Sequence, residues 1–402
     1  MNKMEGAAYG YTAVTPEVDE FLTRVHFGSP MGELLRRYWQ PIALSSELQD
    51  LPKRIKILHE DLVVFRDLKG RVGVLDAHCC HRGASLEYGR LETEGIRCCY
   101  HGWLFDVEGC CLDQPCEPAK SSYKDKVRQP WYPVKEYGGL VFTYMGPPDT
   151  LPEFPYFDVL LREGVELLAY RNNTRGVVAE CNWLQIQENA VDPMHTFVLH
   201  SSNSGNQFTS AFAALPNIDF VTTPNSVQYV RNATLPNGNR FHRIGEVFIP
   251  NSRSLPSQTP ESHEIIKEPG RFIGWWVPVD DTHTIGFHIE ALPVTSGKQE
   301  KSVWAEAVPG LSNDKVPPPE TYEDTQRRPG DREAQTSQRP IAVHSLEHLA
   351  TSDLGIVKFR LLLRGAAEAV QKGDDPPGTF RNSDKPIIKV GSKNEILPPG
   401  KS

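Results

Sequence analysis

The chain has 402 residues, of which 39% are hydrophobic and 23% charged, and its formal net charge is −8. This length favours two domains, and the composition provides enough apolar side chains for their cores. Because binding to nucleic-acid phosphates requires a basic surface, the acidic balance argues against a nucleic-acid partner.

The chain begins with MNKMEGAAYGYTAV, which lacks the apolar segment of a signal peptide. No run of about 18 apolar residues follows, so no membrane span is predicted. Together these features predict a cytoplasmic protein without a membrane partner.

Short strands are predicted on both sides of a cysteine-rich stretch. RIKILHEDLVVFRDLKGRVGVLDAHC (54–79) predicts strands around a turn at Lys69-Gly70. YGGLVFTYMGPP (137–148) predicts a closing strand that ends at a proline break. This pattern is typical of a small β domain, which we place at about 42–150.

Seven of the eight cysteines lie between Cys79 and Cys116. In a long chain without a predicted signal peptide, this density favours a metal site over disulfides. HCCHRGASLEYGRLETEGIRCCYHGW (78–103) contains a Cys-x-His pair and a Cys-x-x-His pair. The four candidate ligands are Cys79, His81, Cys98 and His101.

Two mixed pairs on two loops fit a two-iron cluster, in which the cysteines hold one iron and the histidines the other. A zinc site more often pairs cysteine with cysteine and histidine with histidine, so a zinc knuckle or chance clustering is the weaker interpretation. Gly83 and Gly102 follow the histidines closely, as expected where backbone folds tightly around a ligand. The stretch therefore predicts a Rieske [2Fe–2S] cluster.

A second candidate centre lies in CNWLQIQENAVDPMHTFVLH (181–200), where Asp192, His195 and His200 follow the pattern D-x2-H-x4-H. Asp192 and His195 would share one helix face, but residues five apart lie roughly 140° apart on a straight helix. Both histidines can therefore bind one ion only if the helix is kinked or bulged, and Pro193 is a local cause.

Two histidines and one carboxylate form the ligand set of non-haem Fe(II) oxygenases. His195 alone would be an ordinary helix histidine with a backbone partner. Its combination with Asp192, His200 and an upstream cluster motif favours a metal site.

Further strands are predicted at RFHRIGEVFIP (240–250) and RFIGWWVPVDDTHTIGFHIEAL (271–292), the latter with a turn at Asp280-Asp281. His242, His283 and His288 are expected on this sheet in structural or substrate-facing positions. The proline-rich DKVPPPETYED (314–324) predicts a linker. The tail after Lys372 shows no periodicity and is expected to wrap the surface or a neighbour.

CCHRGASLEYG and CCYHGWLFD resemble the two cluster loops of Rieske non-haem iron oxygenases. MGELLRRYWQPIALSSEL (31–48) and the block 330–363 resemble segments of the phthalate-dioxygenase-like branch, which includes aromatic O-demethylases. The family usually has proline at the positions of Cys80 and Cys99. These two thiols are therefore not assigned as ligands, and they are spare, oxidisable or locally paired.

The resemblance implies an α+β fold, with a small all-β Rieske [2Fe–2S] domain (42–150) and a larger helix-grip catalytic domain with an antiparallel sheet (151–402). Residues 1–41 would form an N-terminal segment that packs on the catalytic domain.

The resemblance also implies the site residues. Cys79, His81, Cys98 and His101 would hold the cluster, and His195 and His200 a mononuclear Fe(II). In the family the third iron ligand is an aspartate four residues before a Gln-x-Ser segment, which is Asp331 here, with Glu333, Asp324 and Glu323 as competitors. Asp192 would not bind iron; it would link His195 to His101 of the neighbouring subunit.

We find no dinucleotide fingerprint, so electrons from NAD(P)H would come through a separate reductase, with or without a ferredoxin. The resemblance implies a homotrimer or two stacked trimers without a small β-subunit. The expected reaction uses O2 to hydroxylate or O-demethylate a substituted, carboxylated aromatic compound. The alternatives are ring cis-dihydroxylation and, in another class, a Rieske electron carrier without oxygenase activity.

Overall fold

The computed structural model describes residues 15–171, 178–205, 208–256, 262–295, 298–299 and 321–400. The start of the chain (1–14) and most of the predicted linker (314–320) lie outside the described residues. No helix within the described ranges is both long and apolar enough to cross a membrane.

Short antiparallel strands form the first part of the chain, and they build three small sheets in the orders β1-β10-β9, β2-β3-β4 and β5-β6-β7-β8. The strands are β1 Gln40–Leu44, β2 Lys53–Ile57, β3 Glu60–Arg66, β4 Val72–Asp76, β5 Arg90–Glu92, β6 Gly95–Arg97, β7 Leu104–Phe105, β8 Cys111–Asp113, β9 Val134–Tyr137 and β10 Leu140–Thr143. Between β3 and β4, Gly70 adopts a φ of 84° and donates to the carbonyl of Asp67, which confirms the predicted turn. The predicted small β domain is confirmed.

A ten-stranded sheet dominates the rest of the chain, with the order β12-β19-β18-β16-β15-β14-β13 and with β17, β20 and β22 joined to it. The strands of this part are β11 Tyr156–Phe157, β12 Val165–Arg171, β13 Asn217–Thr222, β14 Ser226–Thr234, β15 Arg240–Phe248, β16 Ser252–Ser254, β17 Ile266–Pro269, β18 Phe272–Asp280, β19 His283–Thr295, β20 Lys298–Gln299, β21 Ile387–Ile388 and β22 Lys393–Leu397. Aromatic and β-branched residues favour β18 and β19, and the Asp280 side chain accepts from Thr282 N at 2.8 Å in the turn between them. The predicted antiparallel sheet and its turn are confirmed.

Helices accompany this sheet. They are α1 Glu20–Thr23, α2 Pro30–Arg36, α3 Trp183–Val191, α4 His195–Phe197, α5 Tyr322–Arg327, α6 Asp331–Thr336 and α7 Leu354–Gln371, with a π-helix at Val198–Asn203. Of these, α3 and α7 contact the strands of the sheet. α7 buries Phe359, Leu363 and Ala367 completely, and this spacing of four residues gives the helix its apolar face.

One apolar core runs through both parts of the chain, since it contains Leu22 of α1, Phe142 of β10, Trp275 of β18 and Phe359 of α7. The N-terminal segment is also tied to α3, because Asn182 Nδ2 donates to the Thr23 carbonyl at 3.0 Å. The predicted boundaries at 41 and 150 stay a prediction.

The prediction for the tail is wrong at β22, which does not wrap the surface. β22 pairs with β15 and β17, and Asn394 and Ile396 are completely buried. A strand of five residues with a buried asparagine gives little hydrophobic alternation, so the sequence pattern did not reveal it.

Two candidate metal centres

The two cysteine loops have the same backbone hydrogen-bond pattern. Cys79 N donates to the carbonyl of the residue five positions later, and so does Cys98 N, at 2.9 and 2.8 Å. Gly83 and Gly102 donate back to the carbonyls of Cys79 and Cys98, with φ of 76° and 73°. Because residues with a side chain rarely adopt such a positive φ, both turns require glycine.

The four predicted residues form an inner and an outer pair. Cys79 and Cys98 are 2% and 3% exposed, and their thiols are hydrogen-bonded to each other. The rings of His81 and His101 are half-buried, with centroids 4.5 Å apart. His81 also stacks on Trp103 at 4.3 Å, which fixes the plane of its ring.

The hydrogen bond from Cys79 is the main cause that lowers the pKa of Cys98 to about 5, against the effect of burial. The backbone N–H groups of Tyr100 and His101 add to this lowering. A thiolate at this position is the form that binds iron.

These residues fit a two-iron cluster better than a single ion. Among the described histidine, cysteine, aspartate and glutamate side chains, the loop residues do not bring three candidate ligand atoms within 4.8 Å of one another. A single zinc ion needs such convergence, whereas a cluster separates the thiol pair from the imidazole pair.

Cys80 and Cys99 are both exposed, and neither forms a disulfide. The alternative that these thiols are paired is therefore wrong. The backbone N–H of Cys80 donates to Gln129 Oε1 at 2.7 Å, so the loop position is fixed through its backbone.

Arg97 braces the second loop from outside. Its guanidinium donates to the Gly102 carbonyl at 2.5 Å and forms ion pairs with Glu92 and Asp113, both at 2.7 Å. The hydrogen bond from Arg97 is the main cause that lowers the pKa of Glu92 to about 2.

We expect Arg97→Met to release this loop and to weaken cluster retention by about 1–3 kcal/mol, because charge-assisted hydrogen bonds are lost. The visible absorption of the cluster should then disappear at a lower temperature. Arg90→Met is the matched control, since Arg90 also pairs with Glu92 but is 75% exposed. Equal effects of the two substitutions would contradict the bracing role.

The second predicted centre lies where α3 ends. The prediction that Asp192 and His195 share one helix is wrong, because α3 ends at Val191 and Asp192 is extended, with φ −100° and ψ 93°. A proline at position 193 disfavours helical backbone at the residue before it. The predicted irregularity is confirmed: a new turn begins at His195 and continues as the π-helix that contains His200.

This irregular path brings His195 and His200 to one carboxylate. Asp331 Oδ1 lies 3.4 Å from His195 Nε2 and 3.0 Å from His200 Nε2. Among the described residues that were candidates for metal binding, these three place their ligand atoms within 4.8 Å of one another. Asp331 is the first residue of α6, and Asn189 Nδ2 of α3 donates to its Oδ1 at 3.1 Å.

The charges at this site favour a cation. Burial alone would raise the pKa of Asp331, but His200 and then His195 hold it well below its usual range. Burial opposes protonation of His195, yet Asp192 and Asp331 raise its pKa to about 10. Two imidazoles and a carboxylate are the donor set of a 2-His-1-carboxylate iron site, so the residues fit a mononuclear Fe(II).

The other acidic candidates point elsewhere. Glu333 Oε2 accepts from Gly330 N at 2.8 Å at the start of α6, and Asp324 pairs with Thr321. Glu323 is exposed on α5. Glu188 is buried in an ion pair with Arg360 at 2.5 Å.

Asp192 lies beside His195 at the protein surface. Its Oδ2 is 3.7 Å from His195 Nδ1, its Oδ1 accepts from Met194 N at 2.9 Å, and its side chain is 25% exposed. The closest partner of His195 Nδ1 is the backbone carbonyl of Asp192. The carboxylate therefore keeps accessible surface next to the imidazole.

Sequence reasoning missed two supporting residues. Asn189 orients Asp331, and the polar positions on α3 were its only signal. Arg231 is completely buried on β14 and donates to Thr196 Oγ1 at 2.9 Å, next to His195. No local pattern connects Arg231 to this turn.

The three sheet histidines lie on the sheet, as predicted. His242 Nδ1 contacts Asn232 Oδ1 at 2.8 Å, and His283 Nδ1 contacts Asp280 Oδ1 at 2.9 Å in the β18–β19 turn. His288 is buried on β19.

Comparison with known proteins agrees with this architecture. The Rieske [2Fe-2S] domain family matches residues 38–137. The chain is 41% identical to the phenoxybenzoate dioxygenase subunit alpha of Ectopseudomonas oleovorans, over 97% of this chain and 94% of that protein. It is also 41% identical to the tert-butanol monooxygenase / tert-amyl alcohol desaturase oxygenase subunit of Aquincola tertiaricarbonis, over 98% of this chain and 85% of that protein.

The solved structure of Pseudomonas putida CBB5 NdmA with caffeine shares the fold, with a TM-score of 0.64 and 21% identity over 85% of this chain and 94% of that one. This likeness confirms a Rieske β domain joined to a catalytic domain with a large antiparallel sheet. From the identity to full-length oxygenase subunits, the chain belongs to the family of Rieske-type oxygenases, as an oxygenase (alpha) subunit.

Proposed function

We propose that His195, His200 and Asp331 hold one Fe(II) at which the oxygenase reaction takes place. The observation that carries this proposal is the convergence of three ligand atoms within 4.8 Å. When bound, the iron supplies open coordination positions at which O2 can be activated. Asp331 provides the negative charge, and Asn189 holds its carboxylate in place.

Cys79, His81, Cys98 and His101 hold the Rieske [2Fe–2S] cluster in this proposal. When bound, the cluster supplies electrons one at a time. The two cysteines are buried and lie on the side of the loops that is shielded from solvent, whereas the half-buried histidines face outwards. A separate reductase, with or without a ferredoxin, passes electrons from NAD(P)H to this outer side.

The two centres work together between subunits of a homotrimer or of two stacked trimers. Asp192 links His195 to His101 of the partner subunit: its backbone carbonyl contacts His195 Nδ1, and its carboxylate, 3.7 Å from that nitrogen, accepts from His101 of the partner subunit. The accessible surface that the Asp192 carboxylate keeps beside His195 supports this role. The domain boundaries at 41 and 150 are part of the same proposal.

The substrate is a substituted, carboxylated aromatic compound, which the enzyme hydroxylates or O-demethylates. Ring cis-dihydroxylation is the second candidate, and the similarity to the phenoxybenzoate dioxygenase subunit favours it. The reacting compound lies beside Asp331, whose side chain keeps 42% of its accessible surface.

We expect a screen of methoxylated and carboxylated aromatics, with reductase and NAD(P)H supplied, to release formaldehyde from methoxy compounds. Formation of a cis-diol would instead support the second candidate. Asp331→Ala protein serves as the control for reactions that do not need the iron. If no compound yields formaldehyde, a hydroxylated product or a cis-diol, the proposed reaction is contradicted.

A further inference from the structure

A row of residues on four neighbouring strands crosses the large sheet next to the proposed iron site. In the strand register, Arg253 of β16 lies opposite Gly274 of β18, Gly274 lies opposite His288 of β19, and His288 lies opposite Tyr170 of β12. Directly opposed residues point to the same face of a sheet, so these side chains share one face. Trp276, two residues after Gly274, lies on it too.

This face carries the iron site. Trp276 packs against Ile186 of α3, and Arg253 Nη1 lies 3.4 Å from the Ile186 carbonyl. The same helix provides Asn189, which holds Asp331. The row therefore lies beneath the proposed reaction centre, and we call it the floor row.

Gly274 makes room for the row. A Cβ atom at this position would lie 2.3 Å from Cδ2 of His288 and 2.6 Å from its Nε2. The imidazole thus crosses directly over the backbone of β18. Its other nitrogen, Nδ1, is buried without a hydrogen-bond partner among the described residues.

Arg253 carries a charge that no described carboxylate neutralises through an ion pair. Its guanidinium lies 5.0 Å above the Trp276 ring, and its Nε is buried without a partner in the described part of the chain. Burial lowers the pKa of Arg253 to about 10, and Asp331 is the carboxylate that acts against this lowering. Since Asp331 is committed to the iron, the charge of Arg253 remains available.

Trp276 and His288 add further polar atoms. Each residue is 6% exposed, and Trp276 Nε1 and His288 Nδ1 both lack partners within the described ranges. Burial lowers the pKa of His288 to about 3, so its ring is neutral near pH 7 and offers one N–H. Buried polar groups are usually paired, so three unpaired nitrogens along one face point to a missing ligand.

An acid lies close to the row. Glu290 lies two residues after His288 on β19, is 3% exposed, and raises the pKa of Tyr170. It forms no ion pair with Arg253 among the described contacts and does not influence the pKa of Arg253. Glu290 therefore does not neutralise the positive charge of Arg253.

We propose that Arg253, with Trp276 and His288 beside it, binds the carboxylate of an aromatic substrate and so determines which compounds the enzyme accepts. This inference rests on the proposed function, because it concerns the residues beside the proposed iron site. A planar guanidinium matches a planar carboxylate through two parallel hydrogen bonds. A sulfonate shares the charge but not the planar shape, and it binds more weakly in this proposal.

The test is calorimetric titration of oxidised, iron-loaded enzyme without reductase, so that binding is measured apart from turnover. The probes are 3-methoxybenzoate, its uncharged amide and the corresponding sulfonate. We expect wild-type protein to bind the carboxylate most tightly. Arg253→Gln should weaken binding of the carboxylate on the order of 100-fold, because the carboxylate loses its buried charged partner. The affinity for the uncharged amide should stay within about threefold of the wild-type value.

Arg253→Lys keeps the positive charge but lacks the planar guanidinium, so it should bind the carboxylate with intermediate affinity. Arg54→Gln, which removes a charge at an exposed site on β2, is the control and should bind as wild type does. Iron content and melting temperature of each variant show whether the site remains folded.

Equal affinities for carboxylate and amide, or carboxylate binding that is indifferent to Arg253→Gln and Arg253→Lys, would overturn the inference. Failure of all three probes to bind at millimolar concentration would also overturn it. Carboxylate binding that depends on Arg253, without product in the reductase-coupled screen, would instead contradict the proposed reaction. The two proposals can therefore fail separately.

Discussion

Replacing Asp331 with alanine is expected to remove the mononuclear iron and leave the visible absorption of the [2Fe–2S] cluster unchanged. Asp331 Oδ1 lies within 3.4 Å of both His195 and His200, and no other described carboxylate converges on these two imidazoles. Without it, only the two imidazoles remain as candidate ligands, and two imidazoles alone bind Fe(II) poorly. Turnover should fall by more than about 100-fold, since loss of even an indirect ligand contact costs 10–100-fold.

Iron analysis, visible spectroscopy and product formation together check this expectation. Asp324→Ala is the matched control, because Asp324 is a nearby acid on α5 that pairs with Thr321 rather than with a histidine. Full activity and full iron content in Asp331→Ala protein would move the ligand assignment to Glu333 or Asp324.

Asp192→Asn should leave both metal centres occupied and slow product formation by more than about tenfold. An amide keeps the shape of the side chain but has one acceptor oxygen and carries no charge, so it cannot accept from two imidazoles in the same way. Stopped-flow reoxidation of the reduced cluster, in the presence of substrate and O2, measures the slow step. An unchanged reoxidation rate would contradict the linking role of Asp192.

Mixed trimers test whether this link joins two subunits. Asp192→Asn protein has an intact cluster but a defective link, and His101→Ala protein has an intact Asp192 but no complete cluster. In a mixed trimer, some chains with intact Asp192 face a partner subunit with an intact cluster. Recovered turnover would support transfer between subunits; no recovery, despite proven exchange and metal loading, would contradict it.

The cluster loops could be predicted from the sequence because their candidate ligands lie close together along the chain. Cys79 and His101 are separated by one short hairpin, and the loop conformation depends on local glycines such as Gly83. The spacing of five residues between His195 and His200 also showed that both side chains cannot bind one ion from a straight helix. It did not show whether a break, a kink or a π-helix would resolve the conflict.

Long-range features were not predictable in the same way. Asp331 lies 131 residues after His200, and only the family resemblance pointed to it. The floor row depends on strand register: Arg253 and His288 belong to different strands, and their order in the sheet is not visible in the sequence. The strand at Lys393–Leu397 was missed because its stability comes from pairing with β15 and β17.

The most direct test of two metal centres in one chain is the ratio of iron to acid-labile sulfide in purified wild-type protein. Cluster and mononuclear site together predict about three irons and about two sulfides per chain. The Asp331→Ala protein should give about two of each. A ratio of one iron per sulfide in wild-type protein reconstituted with Fe(II) would contradict a mononuclear centre and would support an electron carrier instead.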